Sequence, residues 1–413
     1  MLKNTKQASK TATAAMCLIL LTIMSKTAFS EDSAFLDALG RLENHPAIKT
    51  VHARAKSESM RLESISALKD PVLKTAAKNY TLHDSQLGTS QMTGIEIGIS
   101  QKIPLTMRKR KQAEAAAKLD LVASYTRESD VRKLRLKSWQ LAADWEASKQ
   151  KIALYKESLS WLESKLKVTE SLYANGQASQ QAVYEIKISA AKNEAAITSE
   201  NFNRTKLEQS LSYLFGKKFS LENTTIPWGI IQKERRQLAE HPEEQALIAH
   251  KNALALAREA KRSEKIPDLT LGAGYTFRPD AEEDFISLSV AIDLPVFGRR
   301  TADYGAALSA AESSRSAYDN FKIKRDSEIQ RTKLELERLS SELDILTSKS
   351  IRFASSSRDI VSKSYSLGNA TYVELLSSEL SLVELKLKEI ELRTLEKVNF
   401  AQLSYLMGDT LWQ

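Results

Sequence analysis

The stretch Leu294-Pro295-Val296-Phe297-Gly298-Arg299-Arg300 constrains this chain more than any other. Before it, apolar residues alternate at Ile286, Leu288, Val290, Ile292 and Leu294, the period of a strand with one apolar face. After it, residues 296–413 contain no proline. The same junction is written earlier in the chain. Ile95, Ile97 and Ile99 alternate, Ile103-Pro104-Leu105-Thr106-Met107-Arg108-Lys109-Arg110 follows, and residues 105–226 again lack proline. A strand that stops at a proline and passes into a helix of sixty residues or more cannot belong to an ordinary compact domain. At 1.5 Å per residue such a helix reaches roughly 95–100 Å, and it needs neighbouring helices along its whole length.

The junction is one part of a longer duplication. His45-Pro46 returns as His241-Pro242, and each opens a helical segment of about twenty-five residues. Pro71 returns as Pro267, and each precedes a first strand, the earlier one ending near Asn79-Tyr80-Thr81-Leu82. The second copy alternates clearly, with Leu269, Leu271, Ala273, Tyr275 and Phe277 on one face and Thr270, Gly272, Gly274 and Thr276 on the other. The first copy alternates poorly and is read as a strand by analogy with its partner. Polar loops at Ser85–Gln91 and Arg278–Asp284 would close two hairpins, at about 72–103 and 268–294. Leu334, Leu336, Leu339, Leu343 and Ile345 show heptad-like spacing in the second long helix. Each long helix then meets a matching turn, Tyr173-Ala174-Asn175-Gly176 or Tyr365-Ser366-Leu367-Gly368. Glycine can end a helix in the left-handed conformation, and Ser179 or Thr371 can cap the next one. The return helices finish in Leu-Ser-Tyr-Leu-Phe-Gly (211–216) and Leu-Ser-Tyr-Leu-Met-Gly (403–408). The expected organisation is a signal segment at 1–30, a first repeat at 31–216, an irregular connection at 217–240 and a second repeat at 241–413. The fold class is mainly α with a small β part.

Compartment follows from the N-terminus. Lys3, Lys6 and Lys10 precede an apolar run from Ala12 to Met24, and Ala28-Phe29-Ser30 offers small residues for cleavage. The run is short for a bilayer span, which favours a cleaved export signal over a retained anchor. Cys17, the only cysteine, lies inside that run, so the mature chain has neither disulfide nor thiolate metal site. Residues 1–30 hold four lysines and no acid, leaving 56 basic and 52 acidic side chains in the remainder, a net +4. That mixed surface is not a nucleic-acid footprint. Outside the signal no apolar run is long enough for a transmembrane helix, so a membrane crossing would have to be a β-barrel. The five histidines are scattered, and phosphate loops, zinc motifs and nucleophile elbows are missing. The chain is expected to be no enzyme and to carry no cofactor or metal.

The order of short helix, hairpin, proline junction, long helix, Tyr-x-x-Gly turn and return helix, written twice, resembles the TolC-like outer-membrane efflux protein family. The phrases at 294–300, 365–376 and 403–408 carry the likeness, which covers nearly all of residues 35–410. The resemblance implies a homotrimer in the outer membrane of a Gram-negative bacterium. Its twelve strands, four per protomer, form a transmembrane barrel in lipid that is continuous with a helical tube in the periplasm. It implies two partners, a periplasmic adaptor (membrane fusion) protein and an inner-membrane pump of RND type. The length of the mature chain and its short hairpin loops look most like the heavy-metal branch; drug efflux and type I secretion are the alternatives. A periplasmic coiled-coil adaptor and an extended structural coiled coil fit less well, because neither explains two hairpins with proline junctions.

By the same resemblance Tyr173, Gly176, Tyr365 and Gly368 are the periplasmic tip and adaptor contact. Pro104, Pro295, Gly298 and Arg299 mark the barrel-to-tube junction. Glu374 is either one ring of a pore constriction or an exposed helical carboxylate. Ser377 stands where a second acidic ring would need an acid.

Overall fold

The computed structural model describes residues 33–79, 92–216, 219–222, 224–232, 238–278 and 283–412. The signal segment 1–30, Tyr80 to Leu82 and the Ser85–Gln91 loop lie outside the described residues. In chain order the elements are α1 (Ser33–Arg41), α2 (Pro46–Ser66), β1 (Val72–Lys78), β2 (Gly94–Ile103), α3 (Arg108–Ala174) and α4 (Gln180–Phe215). Then come α5 (Pro242–Ser263), β3 (Leu269–Phe277), β4 (Phe285–Ile292), α6 (Arg299–Ile345), α7 (Ile351–Ser366) and α8 (Tyr372–Leu406). Pro46 and Pro242 sit at the first helical position, where a missing N–H costs nothing. No helix among the described residues is long and apolar enough to cross a membrane.

The chain divides into two units, one made of residues up to Ile48, Asp130–His241 and Arg325–Gln413, the other of Lys49–Ser129 and Pro242–Lys324. The second unit holds the sheet. Its strands run β1-β2-β3-β4, all antiparallel, so β2 and β3 join the two hairpins and β1 and β4 are edges. The first strand runs to Lys78, and of its expected end at Asn79–Leu82 only Asn79 lies among the described residues. Asn79 takes φ +57°, and its side-chain amide donates to the Met92 carbonyl at 2.8 Å, which turns the chain instead of extending it.

The first unit is helical. Its main core gathers Phe35 and Leu39 of α1, Trp139 and Trp145 of α3, Leu211 of α4 and Tyr405 of α8. The 217–240 connection contributes as well, with Leu221 and Ile231 buried in that core and the Ile231 carbonyl accepting from Ser404 at 3.0 Å. The repeated His-Pro and Leu-Ser-Tyr-Leu phrases find each other here. The His45 ring stands edge-on to Tyr213 at 5.1 Å, and His241 to Tyr405 at 5.0 Å. Both histidines are thus structural, and the Ala47 N–H donates to His45 Nδ1 at 3.3 Å.

The two long helical runs differ by one residue. α3 has 67 residues, whereas α6 and α7 have 47 and 16, joined without a break by a five-residue π-turn at Leu346–Ser350. A π-turn absorbs one extra residue per turn, so the second copy carries its insertion inside the helix. The leucine group read as one heptad seam splits between two sides. Leu339 and Leu343 are buried against Leu392 of α8, while Leu334 and Ile345 face solvent.

Candidate functional site

Three features bear on function: the sheet faces, the proline junctions and the glycine turns. The register aligns Leu73, Ile99, Ala273 and Leu288 across the sheet, and likewise Ile97, Tyr275 and Ile286. One face is therefore largely apolar, with Thr75 and Gln101 as its polar members, and it is bare: Ile97, Ile99, Tyr275, Ile286, Leu288 and Val290 are all exposed. Each such side chain would gain roughly 1.5–3 kcal/mol on transfer out of water, so the bare face is costly in water. The opposite face is short and polar. Glu96 pairs with Lys78 and accepts from Ser287 at 3.3 Å. A Cβ on Gly274 would lie 2.7 Å from Glu96 Oε1, and one on Gly272 would lie 2.5 Å from Ser289 Oγ. The glycines leave room for these polar groups; the larger apolar side chains on this face, Val72 and Phe285, lie on the two edge strands.

Both junctions leave the sheet through a proline. Pro104 follows the last residue of β2, and Pro295 lies three residues beyond β4. Neither position needs an N–H, which suits a residue that has none. Around Pro295 the Val296 N–H donates to the Leu294 carbonyl at 3.0 Å, a tight three-residue turn. Gly298 then takes φ +71° and its carbonyl accepts from Thr301 at 3.0 Å, which starts α6 at Arg299. Leu105, Met107, Leu294, Val296 and Phe297 are all exposed beside the sheet, Phe297 at 95 %. Arg299 is exposed. Arg108 is not free for outside partners, since it pairs with the buried Asp268 at 2.5 Å. Lys109 donates to the Ile65 carbonyl, and burial, followed by the Arg108 cation, pushes its ammonium below the usual value.

The turns belong to the helical unit. At the first, the Gly176 N–H donates to the Tyr173 carbonyl at 2.9 Å and the Gln177 N–H to the Leu172 carbonyl at 2.8 Å. At the second, Gly368 donates to Tyr365 at 3.0 Å and Asn369 to Ser364 at 2.9 Å. Both are Schellman closures, with φ +72° and +77° at glycine. Tyr173 is exposed, whereas Tyr365 is buried with its hydroxyl 2.8 Å from Thr169 Oγ1. Glu374 lies at the third position of α8 and closes a capping box: its Oε2 accepts from the Thr371 N–H at 2.7 Å and from the Thr371 hydroxyl at 2.9 Å. Those bonds hold its carboxyl below the usual carboxylate range. A residue the sequence reading passed over lies five positions on. Glu379 is buried between helices, accepting from Ser158 at 2.6 Å and facing Arg358 at 3.4 Å. Its apolar surroundings, Leu375 and Leu382 at helical spacing, were the available signal.

Solved structures share this architecture. The outer-membrane protein VceC of Vibrio cholerae superposes with a TM-score of 0.77 at 16 % identity, over 92 % of this chain and 97 % of that one. CusC, studied for transmembrane channel formation, gives 0.77 at 13 % identity, over 92 % of each chain. The open-state outer-membrane channel MtrE of Neisseria gonorrhoeae gives 0.71 at 14 % identity, over 92 % and 91 %. The fold is that of an outer-membrane channel. For a single chain it is the mainly helical fold with a small four-stranded sheet that the TolC-like resemblance implied. No protein-family model and no curated protein matches the sequence.

Proposed function

We propose that the chain is the passive exit duct of a tripartite efflux system, set in the outer membrane and exported with residues 1–30 removed. The bare apolar sheet face carries this reading. Four strands cannot close a barrel, and among the described residues the edges of β1 and β4 have no strand partner inside one chain. Lipid offers no hydrogen bonds to such edges. Three copies supply twelve strands, with the apolar face toward lipid and the glycine-rich polar face toward water. The long helices of the same three copies extend the duct into the periplasm as a tube.

In that arrangement Pro104, Pro295, Gly298 and Arg299 mark the boundary between barrel and tube, six junctions around one ring. Tyr173, Gly176, Tyr365 and Gly368 form the periplasmic tip, which meets an adaptor protein joined to an inner-membrane pump of RND type. Glu374 stays ionised at neutral pH, and three copies would gather three carboxylates at a constriction, a device that favours cations. The short mature chain and hairpin loops favour heavy-metal cations as cargo, and the pump, not the duct, provides the energy. Extraction of the membrane fraction with detergent followed by sizing tests the assembly: a trimer is expected, and a soluble monomer overturns the reading. Gene deletion tests the cargo. Increased sensitivity to zinc, cobalt, cadmium or copper is expected, and unchanged metal tolerance with new sensitivity to drugs or detergents overturns the metal reading.

A further inference from the structure

A cleft of about 470 Å³ opens between α3 and the 217–240 connection, wholly within the helical unit. That volume falls in the range of small-ligand sites. Trp145, 3 % exposed, and the half-buried Trp228 form its floor. Lys149, Gln150, Glu222 and Thr225, all exposed, form its rim. Both indole N–H groups are already engaged: Trp145 donates to Glu208 at 3.2 Å and Trp228 to Glu146 at 2.9 Å. The rings therefore offer the cleft hydrocarbon surface and no donor. The rim offers the opposite, an ammonium, an amide, a carboxylate and a hydroxyl. One more acceptor lies between floor and rim. Glu146 Oε2 is taken by Trp228 and by Lys397 at 2.8 Å, whereas Oε1 meets the Gln150 amide at a long 3.4 Å and can accept from a ligand.

The charges in the cleft and those paired to it balance, Lys149, Arg204 and Lys397 against Glu146, Glu208 and Glu222. An ionic ligand of either sign gains little from such a field. The duplication adds a comparison within the chain. Counted from the junction prolines Pro104 and Pro295, Trp145, Lys149 and Gln150 correspond to Leu336, Ser340 and Ser341. Residues that the helical scaffold requires recur in both copies, as the His-Pro and glycine-turn phrases do. The indole, the ammonium and the amide of the cleft do not recur, so the scaffold does not account for them.

An open cleft with a hydrocarbon floor, a hydrogen-bonding rim and balanced charge suits a neutral ligand with a C–H face and a polar edge. A pyranose ring has that form. We propose that the cleft binds a glycan, the N-acetylated amino-sugar strand of the cell wall. One sugar lays its C–H face on the indoles and turns its hydroxyl and acetamido groups to Glu146, Gln150 and Thr225. The inference rests on the duct proposed above, because a tube through the periplasm must pass the cell-wall meshwork. The cleft suits that position: its α3 residues lie just past the middle of the helix, away from both the sheet junction and the glycine turn. It goes beyond the duct reading by giving the tube a hold on the wall.

Full-length protein purified in detergent and spun with boiled, protease-treated sacculi tests the site. The native protein is expected to sediment with the sacculi, and to be released by glycan strands that an amidase has freed of peptide. No sedimentation, or release by the stem peptides and not by the strands, overturns the proposal. Gln150→Arg, which crowds the rim, is expected to weaken sedimentation at least tenfold. Ser341→Arg, at the matching position of the second copy, is expected to leave it unchanged. Equal behaviour of these two variants overturns the cleft as the site. Because a large cation can disturb α3, Thr225→Lys approaches from the opposite wall and should give the same tenfold loss; native sedimentation of this variant also overturns the cleft. Sizing of the same samples reads the duct separately. A trimer that fails to sediment overturns the glycan site and not the duct, and a monomer that sediments through the cleft overturns the duct and not the site.

Discussion

The two glycine turns have nearly the same backbone and different surroundings. Each closes its helix with the same pair of hydrogen bonds around a left-handed glycine. The tyrosine three residues before that glycine is 47 % exposed in the first turn and 3 % exposed in the second. Tyr365 packs with Leu162, Ile186 and Leu375, and its hydroxyl meets Thr169; Tyr173 is left in solvent. The caps differ too. Ser179 accepts once, from the Ala182 N–H at 3.2 Å, whereas Thr371 and Glu374 cap one another reciprocally. Duplication has preserved the backbone requirement, which depends on a few local residues. Side-chain burial depends on which helices lie alongside, and there the copies have separated. The second turn is built into the helical unit, and the first is a surface turn.

Substitution at the two tyrosines would break this contrast most directly. Tyr365→Ala is expected to cost about 3–5 kcal/mol in denaturant unfolding of the solubilised protein, as for other large buried rings. Tyr173→Ala should stay within about 0.5 kcal/mol. Equal losses would mean that the first tyrosine is covered in the assembled protein. Tyr365→Phe isolates the hydroxyl and should cost about 1 kcal/mol, because Thr169 keeps its bond to the Lys165 carbonyl at 2.8 Å. The glycines should instead behave alike. Gly176→Ala and Gly368→Ala each force an L-residue into the left-handed region for about 1–2 kcal/mol, with open space around the added methyl group. Gly408→Ala sharpens the point: φ is again positive at +89°, but the new carbon would lie 2.7 Å from the Ala239 carbonyl oxygen, so its loss should exceed both.

What could be read in advance follows the same division. Strand period, proline junctions, turn glycines and helix caps are local signals, and they placed nearly every element within a few residues. Packing is not local. The group Leu334, Leu339, Leu343 and Ile345 looks like one seam, yet two of its members face a neighbour and two face solvent. The π-turn did leave a trace, since Pro104 and Gly176 are 72 residues apart and Pro295 and Gly368 are 73. A one-residue difference in spacing does not say whether a loop or a helix holds the extra residue. Glu379 was hidden for a related reason: a carboxylate among leucines on a long helix reads as a solvated position until Ser158 and Arg358 are found beside it. The candidate site was legible as a set of junctions and turns, and its exposed faces became visible only when strand register and helix order were known.

The capping box distinguishes the turns by pH. The Glu374 carboxyl lies below its usual value chiefly because the Thr371 N–H binds the ionised form, and then because the Thr371 hydroxyl does. A carboxyl depressed in the folded state contributes stability that is fully present above its unfolded value, about 4.3, and is lost as pH falls through the folded value. Acidification should therefore loosen the start of α8 and leave the start of α4, capped by an uncharged serine, unaffected. Amide hydrogen exchange reads this locally. After correction for intrinsic chemistry, protection at Glu374 and Leu375 should drop between pH 7 and pH 3, with no matching change at Ala182 and Val183. Glu374→Gln should remove most of that pH dependence, and Thr371→Ala should lower protection at both pH values, consistent with a cap worth about 1 kcal/mol. An equal acid response at the two helix starts would show that Glu374 adds nothing to the second turn.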